Sequence, residues 1–391
     1  MARRKPQALK TMGEPERVES LVELFKELED PRVDRTKDYP LEEILFLVLA
    51  AVVSGVNHIT EIELFGNTKL EWLRTILPYK NGIPSHDTIG RVLGRLDPDA
   101  LEAMFVRWMK GAAAAVKGLV AIDGKTARGA LRRGEDRSFV HMVSAFCTAN
   151  GLVYGQVKVD EKSNEITAIP QLLDLLFIEG ALVTIDALGC QTAIVDKVVE
   201  RGGDFLIAVK RNQETLHEDL DMAFHDVDIR GGEGFASSDE TEALAHGRGE
   251  WRRCDVLRAE GHIRHRDKWK HVHSIVRVQS ERRLTKTAEP QTLSRYYISS
   301  RRDLDAKQAL RATREHWAIE NRLHWQLDVA FREDQCRVYA ENAAENLIVV
   351  RHIALNLLRS VKGLPGGIQA RRGQAAWSDD ARLKVLHAGL K

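Results

Sequence analysis

The chain has 391 residues, 43% hydrophobic and 29% charged, which is an ordinary globular composition with room for two or three domains. Its longest apolar run, Ile44 to Val56, has 13 residues and is too short to span a bilayer, and the basic amino-terminal segment has no apolar run behind it, which argues against a secretory signal. The four cysteines lie far apart without a C-x-x-C pair, so they favour a reducing cytoplasm over a disulfide framework or a zinc ribbon.

The net charge of +1 hides an uneven distribution of charge along the chain. Residues 214–242 hold ten acids and one arginine, whereas residues 243–277 hold nine Lys or Arg and four acids. A chain that is neutral overall can therefore offer a basic face to phosphates, although each run alone is also compatible with solvated surface.

Residues 16–116 have apolar side chains at three-to-four spacing, which predicts a helical region. The run from Ile44 to Val56 is typical of a buried helix. In "GIPSHDTIGRVLGRL" a turn precedes a helix, with Ser85 or Asp87 as the expected cap.

From Gly118 the pattern changes to short strands. "LVAID", "SFVHMVSAFCT" and "GLVYGQVKV" predict a three-stranded meander, and "ANG" marks the hairpin between the last two. Helices and strands then alternate, which gives the order β-β-β-α-β-α-β. Two of these strands are expected to end on an isolated aspartate: Asp123 in "VAID" and Asp186 in "VTID".

The strand candidates "EWRRCDVLRA", "HVHSIVRVQS" and "SRYYISS" indicate a β-rich insertion over residues 231–300. A long helix, "DAKQALRATREHWAIENRLHWQLDVAF", carries Glu320, and "AAENLIVVRHIALNLLRSV" predicts another helix. The residues from Lys362 onward are expected to form a loosely held tail.

The stretch "GLVAIDGKTARGA" contains "GKT" but does not fit a phosphate-binding loop. Such a loop needs a glycine at position 119, which is leucine here, and the residues "LVAI" favour a strand over a flexible cradle.

Aspartates that end adjacent strands leave the same edge of a sheet, and a carboxylate from a later helix can join them. Such a group of hard oxygen ligands favours Mg²⁺ or Mn²⁺. Two such ions about 3.5–4 Å apart can activate water and stabilise a leaving oxygen at phosphorus. Any one of these acids, taken alone, is also compatible with an ordinary structural role.

Several blocks resemble the H-repeat-associated insertion-sequence transposases, a family of DDE enzymes with an RNase H-like core. They include "LEDPRVDRTKDYPLEEILFLVLAAVVSG", "GIPSHDTIGRVLGRLD", "AIDGKTARGA", "VTIDALGCQTAIVDKVVERGGDFLIAVKRNQ", "AHGRGEWR" and "REHWAIENRLHWQLDVAFRED", in family order up to about Arg359. The resemblance implies an α/β fold and makes Asp123, Asp186 and Glu320 the catalytic acids. It also implies that these acids hold two Mg²⁺ ions, with Mn²⁺ as a substitute.

The patterns along the chain, together with the resemblance, predict a domain organisation. The expected segments are 1–116, N-terminal helical and DNA-associated; 117–230, the first part of the core; 231–300, the β-rich insertion; 301–361, the final core helices; and 362–391, the tail.

The signature that many relatives with a β insertion carry around the final glutamate is replaced here. Thr313, His316 and Leu327 stand where those relatives have tyrosine, arginine and lysine. At i, i+4 spacing, His316, Glu320, His324 and Asp328 are expected on one helix face. The local candidates for DNA contact, each also compatible with an ordinary surface or structural role, are Lys125, Arg128, Lys210, Arg248, Arg252, Arg314, His316 and Asn321.

Trp317 and Trp325 have two interpretations. Packing of the helix onto the sheet is the favoured one, and stacking on a flipped base is the alternative.

The function that follows from the resemblance is metal-dependent cleavage at insertion-sequence ends and strand transfer into target DNA. The expected partners are double-stranded DNA and a second copy of the chain, and the expected location is the bacterial cytoplasm, at the nucleoid, without a membrane. The alternatives are a silent or domesticated DNA-binding copy and an RNase H-like nuclease that only hydrolyses.

Overall fold

The computed structural model describes residues 21–112, 118–127, 140–160, 163–245, 248–282, 291–338 and 341–388. Residues 21–26 are helical. The helices that follow are α1 Leu41–Val53, α2 Ile59–Thr68, α3 Leu70–Leu73, α4 His86–Arg95, α5 Pro98–Ala112, α6 Glu165–Leu175, α7 Thr192–Glu200, α8 Glu214–Ile229, α9 Ala306–His316, α10 Trp325–Val329, α11 Ala343–Ser360, α12 Ile368–Trp377 and α13 Asp379–Leu386. The strands are β1 Leu119–Ala127, β2 Val140–Cys147, β3 Leu152–Lys158, β4 Leu182–Ile185, β5 Asp204–Val209, β6 Ser237–Ala245, β7 Arg248–Arg258, β8 Ser274–Arg282 and β9 Gln291–Ser299.

Contacts divide these residues into a helical unit, 21–112 with 327–388, and a sheet unit, 118–326. In the helical unit, α11 packs against α1, α4 and α5. Both α1 and α11 are buried around almost their whole circumference, so each needs helical neighbours on several sides. By contacts α11 thus groups with the helical unit, whereas the sequence analysis assigned it to the final core helices of residues 301–361.

The helical prediction for the amino-terminal part agrees with the structure in its details. The apolar run that begins at Ile44 lies in the buried helix α1. Ser85 is the residue that caps α4, and its hydroxyl accepts a hydrogen bond from the Thr88 amide at 3.3 Å. Within the described residues, no helix is both long and apolar enough to cross a membrane.

The expectation of a loosely held tail after residue 361 is wrong, because α12 and α13 are fixed by two buried arginines. Arg372 is 3% exposed and donates to the carbonyl of Val52 at the end of α1, with its Nη2 at 2.8 Å. Arg382 is fully buried and donates to the Ser54 hydroxyl at 2.9 Å. Arginine satisfies the unpaired carbonyls at a helix end and also favours the negative end of the helix dipole.

The sheet unit contains one nine-stranded sheet in the order β3-β2-β1-β4-β5-β9-β8-β7-β6. Strands β1, β4 and β5 are parallel, and the other neighbouring pairs are antiparallel. The central strands β4 and β5 are mostly buried, as expected for parallel strands covered on both faces.

The β-rich insertion continues this sheet. Strand β9 pairs with β5 from Leu206↔Ser299 to Val209↔Tyr296, and β8, β7 and β6 follow outward. The sequence analysis missed β6, because "SSDETEALA" is acidic and lacks the β-branched alternation of a half-buried strand. It lies at the sheet edge, where charged residues are common.

We expect Arg382→Lys to destabilise the helical unit. Lysine keeps the charge but loses the planar group that stacks 4.5 Å from the Trp72 ring centroid and donates to both Ser54 and Asp379. Loss of buried, charge-assisted hydrogen bonds and of this stacking contact costs about 2–4 kcal/mol. Urea unfolding of the full chain measures the change.

The matched control is Arg107→Lys, whose side chain is 53% exposed and pairs with Glu27 at the surface. A change below about 0.5 kcal/mol is expected there. Equal effects of the two substitutions would show that Arg382 does not hold α13 in place.

Candidate active site

The register of β1 and β4 places Asp123 and Asp186 side by side. Parallel pairing of the two strands ends at Ile122↔Ile185, and each aspartate is the next residue in its chain. Since Ala121 pairs with Thr184, both aspartates lie on the same face of the sheet. The prediction that the first strand ends at Asp123 is wrong, because antiparallel pairing with β2 carries β1 on to Ala127.

The Asp186 carboxylate is held in a fixed orientation by backbone amides. One of its oxygens accepts from Leu188 N at 3.0 Å and from Gly189 N at 3.4 Å, which caps the 3-10 helix Ala187–Gly189. Gly189 allows this close turn, because a Cβ there would lie 2.4 Å from Cγ2 of Ile185.

Glu320, the predicted third acid, is exposed and lies on a π-helical turn, Ile319–His324, between α9 and α10. The prediction of one α-helical face through His316, Glu320, His324 and Asp328 is therefore wrong. A π turn is wider than an α turn, so residues four apart no longer stack above one another. Such turns occur frequently at functional sites.

Three side chains around this turn attach it to the sheet. The His316 ring bonds the Thr184 hydroxyl at 3.0 Å, beside Asp186. Arg322 donates to the carbonyl of Thr148 at 3.0 Å, and His324 Nδ1 lies 3.7 Å from an Asp123 oxygen. The turn that carries Glu320 is thus fixed against the strands that carry the two aspartates.

The pKa of Asp123 reflects the acids that surround it. Burial is the main cause that raises the pKa of Asp123 to about 7. The charges of Asp186, Glu165 and Glu320 contribute to this rise, and a hydrogen bond from the Gly124 amide opposes it. A site that holds several like charges together favours their neutral forms unless a cation is present.

The neighbouring histidine does not supply that cation at neutral pH. Burial, together with the positive charges of Lys125 and His141, lowers the pKa of His324 to about 4. His324 is therefore a neutral polar group beside Asp123. It does not offset the repulsion among the acids.

The chemistry of these groups fits a divalent cation. Asp123, Asp186 and Glu320 offer hard carboxylate oxygens of the kind that Mg²⁺ and Mn²⁺ prefer. A cation would also relieve the repulsion that raises the pKa of Asp123. Across the described ranges, no group of three or more acids, histidines or cysteines is arranged so that it could hold a metal ion as the side chains stand.

A second polar cluster on the opposite face of β1 was missed by the sequence analysis. The His141 ring bonds the Thr126 hydroxyl at 2.8 Å and a Glu165 oxygen at 2.7 Å. The Glu165 carboxylate lies over Gly124, where a Cβ would come within 2.1 Å of it. The glycine beside Asp123 was the one available signal, since it marks a close approach by another group.

The predicted DNA-contact residues have different surroundings. Lys210 follows β5 at the edge where Asp186 lies, Arg314 is on α9, and Asn321 is on the π turn; all three are exposed. His316 bonds Thr184, which favours a positioning role over DNA contact. Lys125 and Arg252 are half-buried in β1 and β7, the Arg248 side chain is not described, and Arg128 lies outside the described residues.

The favoured interpretation of Trp317 and Trp325 as core residues is wrong. Trp317 is 47% exposed and Trp325 is 54% exposed. The apolar residues that pack this part of the chain are instead Ile319, Leu323 and Leu327. The π turn changes which positions face inward, so α-helical spacing gave the wrong face.

The raised pKa of Asp123 predicts a pH-dependent cost to folding. Its pKa is about 7 in the folded protein and near 3.8 when unperturbed, so its ionisation destabilises the fold increasingly from about pH 4 to about pH 7. In protein without divalent metal, Asp123→Asn should remove this cost. The variant should be more stable than the unmodified chain at pH 8, by up to about 4 kcal/mol, with a smaller advantage at pH 5.

Thermal and urea unfolding at the two pH values measure this difference, with Asp303→Asn, at an exposed position, as the control. If the advantage of Asp123→Asn were the same at pH 5 and pH 8, the carboxylates would not act on Asp123 as described.

Comparison with known proteins identifies the family of the chain. A family model described as "Transposase DDE domain" matches residues 114–357, and a model described as "DDE_Tnp_1-associated" matches residues 22–109. Among solved structures, the chain is similar to a piggyBac transposase synaptic complex with hairpin DNA. The TM-score is 0.43, with 10% identity over 95% of this chain and 77% of that one, which is too low to establish a shared fold.

The curated relatives extend over nearly the whole chain. It is 40% identical over 363 residues to YncI of Escherichia coli O157:H7, covering 92% of each protein. It is 38% identical over 377 residues to the H repeat-associated YhhI of Escherichia coli K12, covering 94% of this chain and 98% of that one. Both relatives carry "transposase" in their names. On the family match and these relatives, the chain belongs to the DDE transposases of the H-repeat-associated insertion-sequence family.

Proposed function

We propose that the chain is a metal-dependent DNA transposase that cuts at the ends of its element and joins the freed ends to target DNA. The observation that carries this proposal is the convergence of acids. Asp123 and Asp186 lie on one face, directly after the point where the pairing between β1 and β4 ends, and the Glu320 charge acts on Asp123. Membership of the DDE family supports it, because that family normally uses divalent metals.

We propose further that strands β1 to β5 form an RNase H-like core. The order β3-β2-β1-β4-β5, with β1, β4 and β5 parallel and β1 to β3 antiparallel, supports this assignment. In this arrangement the carboxyl edge of the parallel strands is where a ligand is expected.

Asp123, Asp186 and Glu320 would hold two Mg²⁺ or Mn²⁺ ions, which supply an activated water and stabilise the leaving oxygen. Asp186 is oriented by the amides of Leu188 and Gly189. Asp123 would ionise fully once positive charge arrives. Neutral His324 lies 3.7 Å from Asp123 and carries no positive charge that would compete with the metal ions for this carboxylate.

The insertion supports DNA binding at the same edge. Pairing of β5 with β9 ends at Val209↔Tyr296, and residues 291–295 continue past the carboxyl end of β5. With a rise of about 3.3 Å per residue, this extension reaches about 16 Å beyond the edge. We propose that Arg252 on β7, with Lys210 and Arg314, binds DNA phosphates there, and that Trp317 or Trp325 stacks on an unpaired base.

Cutting and joining two element ends requires at least two active sites. We therefore propose that the working form is a homodimer on paired DNA ends.

The test is cleavage of DNA that carries the flanks of this protein's own gene, with Mg²⁺ or Mn²⁺, by the full chain and by Glu320→Gln. We expect metal-dependent nicks at a discrete position, reduced at least about 100-fold in Glu320→Gln because an essential acid is lost. The control is Glu200→Gln, whose side chain is 69% exposed on α7, and which should cut normally.

Other outcomes would replace the proposal. Salt-dependent DNA binding without any nick would identify a silent or domesticated copy. Nicks without strand-joining products would identify a nuclease that only hydrolyses. Equal cutting by Glu320→Gln would exclude Glu320 as the third acid.

A further inference from the structure

The helical unit contains a cavity that the proposed catalytic chemistry does not use. It has a volume of about 330 Å³ and lies where the end of α1, the start of α2, the turn around Arg332 and one side of α12 meet. Cavities of this size are within the range of small-ligand sites. The polar residues that line it are Ser54, Asn57, Glu61, Arg332, Gln369 and Arg372.

One wall of the cavity is the buried guanidinium of Arg372. This side chain is 3% exposed, and its acceptors among the described residues are the carbonyls of Val52, Val56 and Ala330 and the amide oxygen of Asn57. All of these acceptors are neutral. A buried arginine is ordinarily matched by an acid, so this positive charge has hydrogen bonds but no described counter-charge.

The surroundings of Arg372 add further positive charge. Burial, together with the charges of Arg351 and Arg332, lowers the pKa of Arg372 to about 9, so it is still protonated at pH 7. Arg351 lies 3.7 Å from Glu333, which supplies its counter-charge. Arg332 has no such partner among the described residues.

Acids in the lining do not balance these cations. Glu61 is the one acid among the lining residues, and its carboxylate already accepts from the amides of Asn57 at 3.2 Å and His58 at 3.3 Å. Two guanidinium groups, a hydroxyl and two side-chain amides therefore surround a cavity with net positive charge.

The backbone at the rim is held in an unusual conformation. Arg332 has φ 50° and ψ 41°, in the left-handed region that residues with a Cβ rarely adopt. The preceding residue, Phe331, is fully buried, with its ring centroid 4.3 Å from the Arg372 guanidinium. Conformations of this kind are unfavourable and persist where the surrounding structure imposes them, often at ligand sites.

We propose that this cavity binds a phosphate group, with Arg332 as its cationic ligand and the buried charge of Arg372, whose N–H groups are already hydrogen-bonded, adding electrostatic attraction. A phosphate offers several acceptor oxygens and negative charge, which matches the positive charge of the lining and the donors of Arg332 and Gln369. A phosphate of the DNA backbone and a small phosphate compound share this chemistry. The cavity thus provides an anion site in the helical unit, and phosphate binding to it does not depend on the proposed catalytic activity.

The test is the thermal stability of the full-length protein in sodium phosphate, compared with sodium chloride of equal ionic strength and pH. Phosphate also stabilises proteins in general, so the readout is the difference between variants. Arg332→Gln removes one cationic ligand, and glutamine can occupy the same backbone conformation. Arg74→Gln removes the same charge from an exposed position in the same unit, outside the cavity.

We expect the phosphate-dependent rise in Tm in the unmodified chain and in Arg74→Gln. In Arg332→Gln, the apparent phosphate affinity should fall about tenfold, as expected for the loss of one charged hydrogen-bonding group. Gln369→Leu removes an amide from an exposed helix position and should also weaken phosphate binding. This second variant keeps the test valid if Arg332→Gln fails to fold. Equal responses of all the proteins, or no response beyond that in chloride, would overturn the proposal.

Addition of a 12-base-pair duplex distinguishes the two sources of phosphate. If the duplex and phosphate compete, and Arg332→Gln weakens duplex binding more than Arg74→Gln does, the natural ligand is the DNA backbone. If phosphate still binds in the presence of saturating duplex, the site serves a small phosphate compound. Either result would stand even if the protein did not cleave DNA.

Discussion

Parallel pairing of β1 with β4 is the constraint on which the candidate active site depends. Because the pairing stops at Ile122↔Ile185, Asp123 and Asp186 leave the ladder together and on one face. The rest of the site is attached to these two positions: the π turn with Glu320 is fixed by His316 to Thr184 and lies beside Asp123 through His324. A change of register by one residue would turn one aspartate to the opposite face.

This arrangement is electrostatically unfavourable when it stands alone. Desolvation and three neighbouring acids oppose the ionisation of Asp123, and the nearest histidine is neutral. The stability that offsets this electrostatic cost comes from other parts of the sheet unit. These are the buried strands of the sheet and the hydrogen bond that holds the Asp186 carboxylate. Sites that bind cations commonly hold like charges close together, and this lowers the stability of the fold. The helical unit has the reverse arrangement, a buried positive charge at Arg372 without a described acid.

The sequence allowed prediction of the parts of the fold that depend on local pattern. Strand alternation and the aspartates after "VAI" and "VTI" predicted the meander, the alternating helices and strands, and the neighbouring positions of Asp123 and Asp186. Family resemblance added Glu320, which no local pattern singles out. Tertiary context decided the rest. The π turn reversed the expected burial of Trp317 and Trp325, and two long-range arginine contacts converted an apparent tail into packed helices. Glu165 is close to Asp123 only through the packing of α6 over Gly124, which sequence spacing does not reveal.

The central claim is that these acids form a cation site, and Mn²⁺ binding tests it most directly. Electron paramagnetic resonance can count the ions bound by the full chain at pH 8 and by Asp123→Asn, Asp186→Asn and Glu320→Gln. We predict that the unmodified chain binds Mn²⁺ and that each substitution weakens binding at least about tenfold, as expected when a ligand or its support is removed. Equal Mn²⁺ affinity in all four proteins would contradict the account, because the acids would then converge without holding a metal.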